Sequence, residues 1–144
     1  NYLNLIVAGL ETQKSAPDAW PVLLDTRGFL TEGSGSNIFL VQDGKVRTPK
    51  AQYVLPGVSR AVTMDLCRDL RVDITEDDLS PFDASVADEA FITSTSLCLC
   101  PIGSFNGAAI GDGSVPGPVT ARLMEAYKQE VKADYVAQYL QHLP

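Results

Sequence analysis

Hydrophobic residues near the start of the chain recur with the spacing of an amphipathic helix. The helical pattern weakens near Pro17. Four residues carry its apolar stripe: Leu3, Ile6, Val7 and Leu10. The same spacing predicts a second helix after Gly57, and a third that opens at Pro118 and runs out toward Leu140.

Short apolar runs bounded by turn residues predict strands between these helices. Asp43-Gly44 and Asn106-Gly107 are typical of tight hairpin turns, because both pairs tolerate positive φ angles. Ser80-Pro81, with Asp83 following, is the signature of a capped short helix. The predicted strands cover residues 20–24, 29–31, 37–41, 45–48, 72–74, 90–93, 97–104 and 108–110.

Helices and strands alternate without a strict βαβ rhythm and without an internal repeat. The sequence therefore predicts a mixed α/β (α+β) fold with a largely antiparallel sheet. No linker divides the chain, so residues 1–144 are expected to form a single domain.

The composition and charge of the chain argue against several classes of function. The chain has 144 residues, 45% of them hydrophobic, and a net charge of −7, which fits one soluble globular domain. The acidic balance argues against binding nucleic acid or an anionic membrane surface, and no apolar stretch is long enough for a membrane span. A lone histidine, His142, disfavours a His-based triad or a multi-His metal site, so no metal is expected.

The three cysteines fit neither a zinc site nor a redox motif. Cys98 and Cys100 form a C-x-C pair, and Cys67 stands apart. Reduced thiols and a cytoplasmic location are the expectation.

Three polar segments are candidates for chemistry. A small-residue loop over residues 32–36 begins with an acid, which either contacts a flat ligand or is merely solvated. Gly57-Val58-Ser59 opens a helix, whose free N–H groups bind a phosphate or simply start the helix. The run Thr93-Ser94-Thr95-Ser96 is either an anion cradle or an ordinary Ser/Thr turn.

In this order, these segments resemble the C-terminal, cofactor-binding domain of class IV (fold type IV) pyridoxal-phosphate (PLP) aminotransferases. The likeness is strongest to the branched-chain and D-amino-acid branches. The matching stretches are Asn1-Tyr2-Leu3, Leu24-Asp25 leading to residues 30–39, Leu55 to Arg60, Ala87-Asp88-Glu89, Thr93 to Pro101, and Gly117 to Thr120.

The resemblance implies a role for each matched residue. Glu32 corresponds to the acid that pairs with the pyridine nitrogen, and a carboxylate there keeps that nitrogen protonated. Val58 and Ser59 correspond to the helix N-terminus that binds the cofactor phosphate, and Thr95 to a hydroxyl on the same phosphate. Leu55 corresponds to the apolar residue against the ring.

Three further residues take their roles from the same resemblance. Tyr2 corresponds to the tyrosine that hydrogen-bonds the phenolic oxygen of the ring, and Ser96 and Leu97 to the turn that faces the substrate carboxylate. Arg60 and Asn37 belong to matched motifs but are expected to brace loops. Tyrosines at helical spacing near the end of the chain are expected to pack in the core or at an interface: Tyr127, Tyr135 and Tyr139.

The chain departs from the family at its catalytic lysine. The Schiff-base lysine of the family lies just before the matched Asn-Tyr pair, so it is expected upstream of Asn1, and the family's smaller N-terminal domain is absent from the chain. Ser36 also stands where branched-chain members commonly have an acid, and Cys98 and Cys100 fit neither branch well.

The resemblance implies a homodimeric transferase that moves an amino group between an amino acid, branched-chain among the possibilities, and a 2-oxo acid. A D-amino-acid or (R)-amine transaminase, an aminodeoxychorismate lyase, and a non-catalytic PLP-binding fragment remain open alternatives.

Overall fold

The computed structural model describes residues 2–142 and arranges them as a mixed α/β fold around one large sheet. The helices are α1 (Leu3–Ser15), α2 (Val58–Asp69), α3 (Pro81–Ser85), α4 (Pro118–Val131) and α5 (Tyr135–Leu140), with a 3-10 helix at Ala51–Tyr53. The strands are β1 (Val22–Leu24), β2 (Leu30–Gly33), β3 (Ser36–Gln42), β4 (Lys45–Pro49), β5 (Ile74–Asp77), β6 (Glu89–Ser94), β7 (Cys98–Ile102), β8 (Ser104–Phe105) and β9 (Ala108–Ala109).

Strand β3 is the hub of a seven-stranded sheet. Strand β2 pairs with its first residues, β4 with its last, and β6 along residues 37–41. The pairs are antiparallel except β4 with β5, which needs the crossover through α2 to run parallel. Strands β8 and β9 form a separate hairpin. The predicted fold class is confirmed.

Both faces of β3 are buried, because its side chains alternate between two apolar clusters. On the helix side, Phe39 stacks on Phe91 with ring centroids 4.8 Å apart, beneath α2 and α4. On the opposite side, Ile38 and Leu40 pack with Leu79 beside α3. The sheet is therefore a rigid platform whose ends can position polar groups.

Several predicted boundaries were wrong. The strand predicted at residues 20–24 starts at Val22. The loop predicted at residues 32–36 is a tight hairpin, in which only Ser34 and Gly35 lie outside the strands. The strand predicted at residues 72–74 starts at Ile74, and the one predicted at 97–104 is split into β7 and β8. The last helix ends at Val131, because Lys132 adopts a left-handed conformation, and α5 starts anew after the Asp134 cap.

The cysteines are free thiols that lie apart. Burial raises the pKa of Cys67 to about 12. Cys98 packs against the helix-side cluster and Cys100 against the opposite one, because the positive φ of Cys98 breaks the regular alternation of β7. Burial raises the pKa of both thiols.

Candidate functional site

The candidate site lies at one end of the sheet, where β2 and β6 end and β3 begins. Because these strands are antiparallel neighbours, Glu32 pairs with Asn37 and Asn37 pairs with Thr93. Directly paired residues project from the same face of a sheet. Glu32, Asn37 and Thr93 therefore form a polar row across three strands.

The polar row binds the loop that leads into α2. The Leu55 N–H donates to Glu32 Oε2 at 2.7 Å, and Asn37 Nδ2 donates to the Leu55 carbonyl oxygen at 3.1 Å. A Cβ at Gly57 would overlap Asn37 Oδ1, so only glycine allows the loop to approach this closely. Leu55 itself projects outward and is 67% exposed.

The N-terminus of α2 follows directly. Gly57 is its N-cap and offers no side chain, so the first N–H groups of the helix have no side-chain acceptor within residues 2–142. Val58 is exposed, whereas Ser59 is buried. A helix of this length with an uncapped N-terminus favours an anion, since the macrodipole adds partial positive charge there.

The Ser59 side chain is buried and lies beside α4. It hydrogen-bonds Tyr127 on α4, whose pKa is raised by burial and partly lowered again by this bond. The side chain of Ser59 thus joins α2 to α4.

The hydroxyl-rich run forms the turn between β6 and β7. Ser94 Oγ accepts a hydrogen bond from the Leu97 N–H at 3.0 Å and lies 3.2 Å from Ser96 Oγ. Thr95 and Ser96 are exposed at the tip of the turn. Thr93, one strand position back, is 1% exposed, and its hydroxyl has no hydrogen-bond partner among the described residues.

Tyr2 is a predicted site residue outside the polar row. It precedes α1, its side chain is exposed, and its carbonyl accepts the Ile6 N–H at 3.0 Å. No hydrogen bond within residues 2–142 joins its hydroxyl to the polar row. Asn1, the first residue of the same motif, lies outside the described residues.

Two matched motifs serve the fold instead. The buried Arg60 donates to the Pro49 carbonyl at 3.0 Å and pairs with Glu76, so it ties α2 to the ends of β4 and β5, whereas a loop was expected as its partner. Glu89 accepts hydrogen bonds from the Val119 and Thr120 N–H groups at 2.9 and 2.7 Å, and so caps α4.

The predicted packing of the tyrosines holds for two of them. Tyr127 is buried and meets Tyr135 edge to face, with ring centroids 5.7 Å apart. The hydroxyl of Tyr135 donates to the Leu99 carbonyl at 3.3 Å. Tyr139, on the short last helix, is 47% exposed.

Asn37 was expected to brace a loop and Thr93 belonged to the candidate hydroxyl run, but neither was predicted to share a row with Glu32. Their motifs were visible, but the pairing that aligns them with Glu32 joins residues far apart in the chain. Only the i, i+2 alternation of β3 and β6 could have hinted that both face the helices.

Within residues 2–142, no helix is long and apolar enough to cross a membrane. The same residues contain no cluster of three or more His, Cys, Asp or Glu side chains that could hold a metal ion.

Comparison with known proteins gives consistent matches. The sequence model of the family described as amino-transferase class IV matches residues 1–105. The chain is 40% identical over 129 residues to branched-chain-amino-acid aminotransferase-like protein 2 of Arabidopsis thaliana, covering 90% of this chain and 23% of that protein. It is 34% identical over 128 residues to the branched-chain-amino-acid aminotransferase of Escherichia coli K12, covering 88% of this chain and 41% of that protein.

Solved structures agree with these matches. The PLP-form (holo-form) of the branched-chain amino acid aminotransferase from Thermobaculum terrenum superposes with a TM-score of 0.85 at 30% identity, covering 90% of this chain and 42% of that one. The chain thus spans less than half the length of the relatives it matches.

Proposed function

Because the chain belongs to the class IV aminotransferase family, we propose that it is the cofactor-binding portion of a PLP-dependent aminotransferase. The enzyme moves an amino group between an amino acid and a 2-oxo acid, with branched-chain amino acids as the preferred class. The names of the relatives support this choice of substrate. A cytoplasmic homodimer is the proposed form of the intact enzyme.

The residues at the sheet end fit PLP. The cofactor is a flat ring with a phosphate on one side and a ring nitrogen on another, so it needs an anion site and a carboxylate. The uncapped N-terminus of α2 offers the first, and Glu32 the second. The buried hydroxyl of Thr93, in the same polar row as Glu32, has no hydrogen-bond partner among the described residues, which supports a ligand in this place.

Glu32 is proposed to hold the proton on the ring nitrogen. Its Oε2 already accepts the Leu55 N–H, so Oε1 is the oxygen available to the ring. When bound, PLP supplies an electron sink for the negative charge that develops on the substrate α-carbon, and a protonated nitrogen strengthens that sink. A carboxylate beside the nitrogen maintains this protonation.

The remaining residues are proposed to fix the orientation of the cofactor and substrate. The Val58 and Ser59 N–H groups and the Thr95 hydroxyl bind the phosphate, and the exposed Leu55 side chain covers one face of the ring. Tyr2 donates to the phenolic oxygen of the ring. The turn at Ser96 and Leu97 faces the substrate carboxylate.

The lysine that carries the substrate α-proton is proposed to precede Asn1. The side-chain pocket for the substrate is proposed to come from the part of the enzyme that the relatives have in addition to this segment. The convergence of Glu32, the Leu55 loop and the α2 N-terminus at one sheet end is the observation that carries the proposal.

A substrate panel tests the proposed activity. The intact gene product that carries this chain is loaded with PLP and offered L-leucine, L-valine, D-alanine and an (R)-amine, each with 2-oxoglutarate. Formation of glutamate from the branched-chain L-amino acids supports the proposal. Preference for D-alanine or the amine moves the enzyme to another branch of the family.

A further inference from the structure

Asn37 and Glu32 hold opposite ends of the same backbone unit. Glu32 accepts from the Leu55 N–H, and Asn37 donates to the Leu55 carbonyl oxygen. The two side chains are direct neighbours across the β2–β3 pair. Leu55 is therefore clamped on the polar row by both its polar backbone groups.

The clamp fixes which oxygen of Glu32 is free. Oε2 is engaged at 2.7 Å, and the Glu32 carboxylate accepts no other hydrogen bond within residues 2–142. The carboxylate would be free to rotate if the Leu55 N–H moved away. Because a hydrogen bond to a charged group depends steeply on direction and distance, a rotated carboxylate would bind a ring nitrogen less well.

Asn37 is well placed to hold the clamp. It is 6% exposed, and it lies between Glu32 on β2 and Thr93 on β6. Gly57 closes over its Oδ1, where any larger residue would collide. The amide thus has one orientation available, with Nδ2 toward Leu55.

We infer that Asn37 is a positioning residue for the ring nitrogen of the cofactor, acting through the Leu55 peptide on Glu32. This inference rests on the proposed function. Asn37 itself needs no contact with the cofactor or the substrate. Its effect is selective for the nitrogen, because the phosphate is held by other groups.

A pair of cofactor analogues tests this selectivity. The apo form of the intact gene product is titrated with PLP and with an analogue whose ring nitrogen is replaced by C–H. The ratio of the two dissociation constants measures the Glu32 contact alone. We expect the wild type to prefer PLP by about 10- to 100-fold, as for a hydrogen bond to a charged group, and Glu32→Gln to lose most of that preference.

Asn37→Ala is expected to reduce the preference to less than about one third of the wild-type ratio. A merely structural effect would weaken the binding of both ligands equally and leave the ratio of their dissociation constants unchanged. Thr48→Val is the matched control. It removes a buried hydrogen bond of 2.8 Å to the carbonyl of Ile38, next to Asn37, without touching the Leu55 loop. It should lower the unfolding midpoint and keep the wild-type ratio.

Gly57→Ala provides a second route, since its methyl group displaces the Asn37 amide. It decides the question if Asn37→Ala does not fold, and it should also reduce the ratio. A wild-type ratio in either folded variant would overturn the positioning role while leaving the proposed function intact. Absence of PLP binding by the wild type, or an unchanged ratio in Glu32→Gln, would instead contradict the proposed function itself.

Discussion

At the scale of single residues, Glu32 and Glu89 differ in the groups that their carboxylates contact. Glu32 leaves one oxygen open at the sheet end, whereas both oxygens of Glu89 are used by the first N–H groups of α4. A carboxylate in that position satisfies otherwise free donors and complements the helix dipole. The two acids belong to equally clear motifs, yet only Glu32 keeps a carboxylate oxygen without a hydrogen-bond partner among the described residues.

Gly117 makes the Glu89 cap possible. A Cβ at this position would overlap the Glu89 carboxyl group, so Gly117→Ala must displace the cap. We expect a loss of about 1–3 kcal/mol in the free energy of unfolding, typical of forced repacking, as measured by urea denaturation. Gly9→Ala in α1 is the control. It meets open space and should be neutral or stabilising by up to about 1 kcal/mol. Equal stability of both variants would contradict the proposed role of Gly117.

At the scale of elements, the locally encoded features were predicted well. The Asp43-Gly44 turn and the capped helix α3 form as expected, because their signals lie within a few residues. The parallel pairing of β4 with β5 and the pairing of β3 with β6 join segments far apart in the chain. The break before α5 carried a local signal that was missed, since Asp134 caps the next helix.

The same distinction applies to the candidate site. The chemistry of Glu32 and the α2 N-terminus could be read from motifs, because acids and helix starts are local features. The clamp by Asn37 could not, since it depends on how β2, β3 and the Leu55 loop meet in space. Likewise, the hydrogen bond of the Ser59 side chain depends on Tyr127, which lies on another helix.

The cap of α3 should make part of the stability pH-dependent. Burial tends to raise the pKa of Asp83, but hydrogen bonds from the Ser80 side chain and backbone, and from Arg47, bring it below its usual value of 3.8. Because the folded-state pKa of Asp83 is lowered, its carboxylate stabilises the fold at pH values above the ordinary pKa. That contribution is lost as the pH falls through the folded-state pKa.

Asp83→Ala should therefore lower the free energy of unfolding by about 1 kcal/mol at pH 7, as for loss of a cap. The difference in the free energy of unfolding between Asp83→Ala and the wild type should shrink as the pH falls below 3.8. Urea titrations at a series of pH values measure it. Asp18→Ala, at an exposed site after α1, should show no such difference. A difference for Asp83→Ala that persists at acid pH would argue against the charged cap.

At the scale of the whole molecule, the described residues form a packed sheet that supports the candidate site at one of its ends. The sheet is packed on both faces within this chain, and its end carries the polar row and the α2 N-terminus. The apolar stripe of α1, by contrast, forms as predicted but remains 45–61% exposed. The chain spans 41% of the length of the Escherichia coli relative.

The half-reaction of the intact gene product tests the central claim most directly. The PLP-loaded protein is mixed with L-leucine, and conversion of bound PLP to pyridoxamine 5'-phosphate is followed by absorbance in a single turnover. Wild type, Glu32→Ala and the exposed-site control Glu130→Ala are compared. We predict that Glu32→Ala is slower by about 100-fold or more, as for loss of a key electrostatic partner, while Glu130→Ala matches the wild type. An unchanged rate and normal cofactor binding in Glu32→Ala would contradict the account.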